Sequence, residues 1–208
     1  MQIAPAQENK TLANKNWFRG FVQGKTRVAL AWIFSIVLIL SARHYPTIPG
    51  IILCFIGASI RYWASGFLRK DSRPAVGGPY SFVRNPLYLG TYLMALGTAL
   101  AVENWWLLGV CTVIFALIYQ YIILDEETKL MRIFGEPYEV YCALVPRFFP
   151  KLMPVAKTAL SAVNPDPAQM SFSRELAAKN KAYEAYLSFA ALIGFVAVAA
   201  FTWQNFYS

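Results

Sequence analysis

The chain has 208 residues, 57% of them hydrophobic and 14% charged, with a mean hydropathy of +0.42, a composition that excludes an ordinary soluble globule. Its formal charge of +8 comes from Lys and Arg flanking apolar runs, whereas a nucleic-acid binder carries them as a stripe with interleaved aromatics, so that class is excluded too. About five apolar runs approach the roughly 20 residues that carry a helix across a bilayer, and none alternates like a barrel strand. The expected fold is therefore all-α, a polytopic transmembrane helical bundle with an interfacial cytoplasmic helical segment.

Residues 1–16 are polar, and 1–26 read as a cytoplasmic N-terminal tail or surface-lying segment. The first span is expected from Val28 to Ala42, retained because no small-residue cleavage site follows it. It ends in Arg43, His44, Tyr45 and Pro46, side chains suited to an interface. A tight connection through Pro46 and Pro49 leads to a second span, Gly50 to Phe67, making a helical hairpin. Arg69 to Asn85, with Arg73, Arg84 and the Gly77-Gly78-Pro79 triplet, must be a loop.

Pro86 opens a third span reaching Val102. A short turn at Glu103 and Asn104, anchored by Trp105 and Trp106, leads to the fourth, Trp106 to Leu124. From Asp125 the same helix is expected to run on as a charged stretch to Phe134, stopped by Gly135 and Pro137. The membrane core thus covers 27–155, a proline-containing linker 156–183, and a last span, Ala185 to Trp203, lies within a C-terminal helix at 184–208. That span could pack on the core or pair with a second copy through Ala190, Gly194 and Ala197. The basic N-terminus, the Arg69 to Arg84 loop and the segment after Asp125 fall on one side, which the positive-inside rule makes the cytoplasm. Cys54, Cys111 and Cys142 match no metal or disulfide spacing, and no metal is expected.

Three segments carry potential chemistry. In the first, Gly77 to Gly90, two glycines and a proline let backbone approach a ligand, and Arg84 precedes a helix start whose N–H groups favour anions. The second is Asp125-Glu126-Glu127, three acids near anionic lipid that call for a cationic partner such as Arg84 or a cationic cofactor, unless they are merely a solvated face. In the third, Phe134 to Tyr141 and Val145 to Pro150, Tyr138 and Tyr141 lie three apart on one helical face of what reads as a compact interfacial segment.

Gly-Pro-Tyr at 78–80, Arg84-Asn85-Pro86-x-Tyr88-x-Gly90, Glu126-Glu127 about one span later, and Phe134-Gly135-x-x-Tyr138 followed by Tyr141, Val145-Pro146 and Pro150 together resemble the isoprenylcysteine carboxyl methyltransferase family and its phospholipid methyltransferase relatives. The resemblance runs from about Arg61 to Pro150. It implies an integral membrane enzyme, with its active site facing the cytoplasm, that uses S-adenosyl-L-methionine to methylate a lipid or prenylated substrate. Carried over by that likeness, Tyr80, Asn85, Pro86, Leu87 and Tyr88 would line the cofactor pocket, Glu126 would hold a polar end of it, and Ser72, Arg73, Pro74 and Ala75 would contact the adenosine. Two positions depart from the family pattern: Asn85 stands where histidine is usual, and Ile122 stands where an arginine would hold the substrate carboxylate.

Methyl transfer needs orientation and no metal. A carboxylate acceptor is already ionised at neutral pH, whereas an ammonium must first lose a proton, and the one histidine, His44, is expected on the opposite side. A carboxylate acceptor is thus favoured, with Arg84, Glu126, Arg61 and Arg147 as the catalytic candidates and Arg61 or Arg147 in place of the missing arginine. The alternatives are an amine N-methyltransferase, an NADPH-dependent reductase resembling the sterol reductases through Tyr141-Cys142 and Val145-Pro146-Arg147, and a non-catalytic membrane scaffold.

Overall fold

The computed structural model describes residues 34, 36–38, 40–69 and 73–206. It divides into two compact units, residues 1–41 and 42–208. The expected tail and the start of the expected first span, 28–33, lie outside the described residues, while 34, 36–38, 40 and 41 are helical. All that follows concerns the second unit, in which the regular structure among the described residues is helical.

Pro49 sits in the first turn of α1 (Ile48–Ser65), where its missing N–H costs nothing. Pro86 plays the same part in α2 (Pro86–Ala101). The two helices pack antiparallel, with the Thr47 backbone N–H donating to Ala101 O at 3.1 Å and the Thr47 hydroxyl to Leu100 O at 3.1 Å. Their backbones touch. A Cβ on Gly57 would meet Gly90 O at 2.6 Å, and one on Gly97 would meet the Cys54 backbone nitrogen at 2.4 Å. Small residues on facing stripes permit this approach, which gives dispersion contacts where lipid leaves no hydrophobic drive between helices.

A turn at Val102 to Asn104 reverses the chain, with Glu103 at φ 52° and the Asn104 side chain accepting from Leu107 N at 2.9 Å as an N-cap. Then α3 (Trp105–Phe134) runs for 30 residues, about 45 Å and so well beyond a 30 Å hydrocarbon layer. It continues through the three acids as expected and stops at Gly135, whose φ is 57°. After it come α4 (Glu136–Leu144), α5 (Lys157–Leu160), α6 (Arg174–Lys179) and α7 (Glu184–Phe206), with 3₁₀ turns at Gly78–Ser81 and Pro167–Met170. Among the described residues three helices, α1, α3 and α7, are long and apolar enough to cross a membrane, and α2 is a shorter apolar helix.

The last helix packs on α1 through Phe55, Tyr62, Tyr186 and Phe189, with ring centroids 5.4–5.8 Å apart. Asn180 helps set that position: its amide donates to Ser65 O at 2.9 Å and Leu68 O at 2.7 Å, satisfying carbonyls at the end of α1. Ala190 and Gly194 lie on the exposed face of α7. Arg43 lies over the Trp203 ring at 4.8 Å, and His44 pairs with Glu103 at 3.4 Å. The C-terminal end of α7 and the short connections therefore share one end of the bundle, and the motif-bearing loops gather at the other.

Tyr138 and Tyr141 share one helical face, as their spacing implies, and are core residues at 3% and 2% exposure. They pack with Val76, Val145, Leu160 and Val163. The i, i+3 spacing specifies a shared face without saying what that face meets, and here α5 and the loop before α2 cover it.

Candidate functional site

The start of α2, the charged part of α3 and the segment after α4 converge at the end of the bundle opposite Trp105. Asn85 precedes α2 but makes no capping hydrogen bond to it; its amide instead donates to Arg147 O at 2.9 Å. The first-turn N–H groups of α2 thus have no side-chain cap. One turn into the helix, the Tyr88 hydroxyl donates to Glu126 Oε2 at 2.8 Å, joining α2 to α3. Glu126 is exposed and Tyr88 half-buried.

Glu127 faces inward, with its side chain 9% exposed, and its carboxylate lies 3.3 Å from Arg84 Nε and 3.0 Å from Arg147 Nε. The Arg147 contact is a hydrogen bond; Arg84 Nε and Glu127 Oε1 approach as charges without hydrogen-bond geometry. One carboxylate in α3 therefore holds both the loop before α2 and the segment after α4. Backbone bonds repeat the tie: Arg84 N donates to Pro146 O at 2.9 Å, Lys151 N to Phe82 O at 3.0 Å and Val155 N to Ser81 O at 3.0 Å.

Tyr80 is 6% exposed, packed with Ala64 and Phe67, and its carbonyl accepts the Tyr141 hydroxyl at 2.8 Å. Burial first, then the nearby Glu126 and Tyr88, push its phenol well above the ordinary tyrosine range, keeping it protonated. Burial likewise raises the Cys142 thiol, while the neighbouring Arg84 pulls it down.

On the membrane side of Tyr88 lies an aromatic wall. Tyr119 meets Tyr88 edge-on at 5.2 Å and stacks on Phe115 at 3.9 Å, and Tyr92 and Phe148 lie 4.5 and 5.4 Å from Phe115. Ile122, half-buried, lies on α3 between Tyr119 and Glu126.

Of the residues expected from sequence, Tyr80, Arg84, Asn85, Tyr88, Glu126 and Arg147 come together. Pro86 is buried at the start of α2 and Leu87 packs beside Tyr80. Arg61 donates to the Thr91 hydroxyl across the α1–α2 contact, one turn deeper. Pro74 is buried, with its carbonyl accepting from Asn164 at 3.3 Å; Ala75 is half-buried and Arg73 exposed. Ser72 lies outside the described residues. Arg84 does find an acid among 125–127, but it is Glu127 rather than Glu126; Asp125 pairs with Lys129 at 2.9 Å. Glu127 as a buried hub was missed from sequence, and the available signal was helical phase: Glu127 follows Ile123, a residue 2% exposed, by one turn.

The phospholipid methyltransferase family model matches residues 50–137. Over that core the chain is similar to the phospholipid methyltransferase family. It is 31% identical over 105 residues to the nickel-cobalt-cadmium resistance protein NccN of Alcaligenes xylosoxydans xylosoxydans, covering 50% of this chain and 47% of the relative. It is 30% identical over 131 residues to the cobalt-zinc-cadmium resistance protein CzcN of Cupriavidus metallidurans, covering 62% and 56%. It is also 33% identical over 98 residues to the protein-S-isoprenylcysteine O-methyltransferase of Schizosaccharomyces pombe, covering 45% and 40%. The chain thus spans about half the length of the relatives it matches. No solved structure matches it. The family match covers nearly all of α1 and the whole of α2 and α3, so both partners of the Tyr88–Glu126 bond lie within it, whereas Arg147 and Phe148 lie beyond it.

Proposed function

We propose that the chain is an S-adenosylmethionine-dependent methyltransferase acting on a lipid-soluble acceptor at the cytoplasmic membrane face. The observation that carries this reading is the 2.8 Å bond from Tyr88 to Glu126. It brings an exposed carboxylate beside the α2 start that Asn85 leaves uncapped. An amino-acid moiety fits that pair, its ammonium on Glu126 and its carboxylate toward the first-turn N–H groups of α2. Bound there, S-adenosylmethionine supplies an electrophilic methyl group.

The chain's own part is orientation and exclusion of water. Tyr88 aims the Glu126 carboxylate, the Arg84–Glu127–Arg147 cluster holds the flanking segments together, and the Tyr92, Phe115, Tyr119 and Phe148 rings form a dry wall on the membrane side. Orientation alone can lower a bimolecular barrier by about 7–11 kcal/mol in favourable cases.

For the acceptor we favour a lipophilic carboxylate of the isoprenylcysteine type, ionised without help from a base. The half-exposed Arg147 is the cation placed to receive it. A phospholipid amine is the second reading, favoured by Ile122: at this point α3 offers an apolar side chain beside aromatic rings, a setting that suits a cation better than a second carboxylate. The names of two relatives refer to metal resistance, but among the described residues no group of three or more His, Cys, Asp or Glu is placed to hold a metal ion.

Titrating the purified protein with S-adenosylmethionine tests the reading. Binding should be saturable, and Glu126→Gln should weaken it about tenfold or more, as loss of a charge-assisted contact does. Absence of binding, or affinity unchanged in Glu126→Gln, overturns it. Labelled methyl released from product by mild base identifies an ester, and base-stable label an N-methyl amine.

A further inference from the structure

The segment that returns from α4 toward α5 has an unusual course. The Phe148 ring lies 5.8 Å from Tyr92 in α2 and 5.4 Å from Phe115 in α3. Phe115 stands midway between Trp105 and Asp125, and therefore in the middle of the apolar stretch of α3. By Lys151 the backbone is back beside Phe82, which precedes α2. The Phe148 side chain thus reaches into the apolar layer, while the backbone on either side of it stays beside residues 81–85.

Such a course is tolerable in lipid only if backbone polar groups are satisfied or absent. Pro146, Pro150 and Pro154 carry no N–H. The carbonyls of Pro146 and Arg147 accept from Arg84 N and the Asn85 amide, and the N–H groups of Lys151 and Val155 donate to Phe82 O and Ser81 O. Meanwhile the tip is open: Phe149, Leu152 and Met153 are 82%, 101% and 79% exposed. Large apolar side chains this bare are costly in water, at about 1.5–3 kcal/mol each relative to burial. Lys151 and Lys157, both exposed, flank these side chains with the charge that anionic headgroups attract.

We propose that the bare apolar tip Phe149 to Met153 inserts into the leaflet on the site's side of the membrane, its partner the acyl chains and headgroups of anionic phospholipid. The tip continues directly from Arg147 and Phe148, so lipid holds in place the wall that closes the site. This inference goes beyond the proposed function and does not depend on methyl transfer.

Photo-crosslinking of the full chain tests it. p-Benzoylphenylalanine is introduced at position 149 or 152, the protein is reconstituted in nanodiscs of phosphatidylcholine and phosphatidylglycerol, and after illumination the intact mass is read. Both positions should gain the mass of one phospholipid, and the same group at the exposed position 175 in α6 should gain none. Position 152 is fully exposed, so a side chain there has no packing to disturb. No lipid adduct at either position overturns the proposal, as does crosslinking there to a second copy or to residues 1–33 in place of lipid.

Discussion

The α1–α2 hairpin and the cap over its far end are held together by different physics. In the hairpin, helices meet backbone to backbone through Gly57, Gly90, Gly97 and Cys54, a fit of shape that a single methyl group spoils. In the cap, Arg84, Asn85, Tyr88, Glu126, Glu127 and Arg147 meet through charge and hydrogen bonds, which can be retuned one at a time. The contrast follows from solvent: lipid rewards close packing between spans, while the cap has acids and arginines to satisfy. The hairpin is thus apolar and tight, and the cap, where we propose that the ligand binds, is polar and adjustable.

The largest expected effect tests the cap's single hub. Glu127→Ala leaves Arg84, itself 9% exposed, beside a vacated site, and removing one member of a buried ion cluster costs about 3–5 kcal/mol. Half-exposed Arg147 softens this toward the lower figure. Limited proteolysis should show cutting within 145–155 while α1 and α2 stay protected. Uniform protection would mean that the backbone bonds alone hold the segment.

Gly97→Val attacks the other region. Its Cβ would sit 2.4 Å from the Cys54 nitrogen, backbone that cannot rotate away, so the helices must separate. Overpacking of this kind costs about 1–3 kcal/mol. Thermal unfolding in detergent should fall as one transition, unlike the local release expected for Glu127→Ala. A smaller effect sharpens the cap side alone: Tyr88→Phe removes one hydrogen bond to Glu126, worth about 1 kcal/mol at this exposed position. Affinity for S-adenosylmethionine should drop several-fold while the unfolding temperature falls by only about 2–4 °C.

The two regions were also unequally legible in the sequence. Helix limits follow from punctuation: Pro49, Pro86, Gly135 and Pro137 each start or stop an element near where the structure has it. The second span was expected from Gly50 to Phe67 and is Ile48–Ser65, a shift within ordinary helix-end uncertainty. In the cap, local sequence gave the participants without all the pairings. Three adjacent acids look alike, and only α3's rotation decides that Glu126 meets Tyr88 while Glu127 turns inward to two arginines. The burial of Tyr138 and Tyr141 depends on α5, more than a dozen residues downstream, which reads as linker. The docking of 145–155 on residues 81–85 rests on backbone partners that no sequence pattern advertises.

The smallest predicted effect lies at Asp166, outside the cluster of Arg84, Glu127 and Arg147. Asp166 caps the 3₁₀ turn at Pro167–Met170 by accepting from Ala168 N at 3.0 Å and from the Gln169 amide at 2.8 Å. The Gln169 bond first, and the Ala168 N–H next, hold its carboxyl below the ordinary aspartate range. A depressed folded-state value means that the unfolded chain takes up the proton at higher pH. The stabilisation is therefore complete above the ordinary aspartate value and fades as pH falls through the lower, folded one. Asp166→Asn should lower the melting temperature slightly at neutral pH and not at all in strong acid, because the wild-type side chain has by then lost the same charge. An equal deficit at both pH values would show the cap to depend on the side chain's shape and not on its charge, and would place this turn with the hairpin's steric logic.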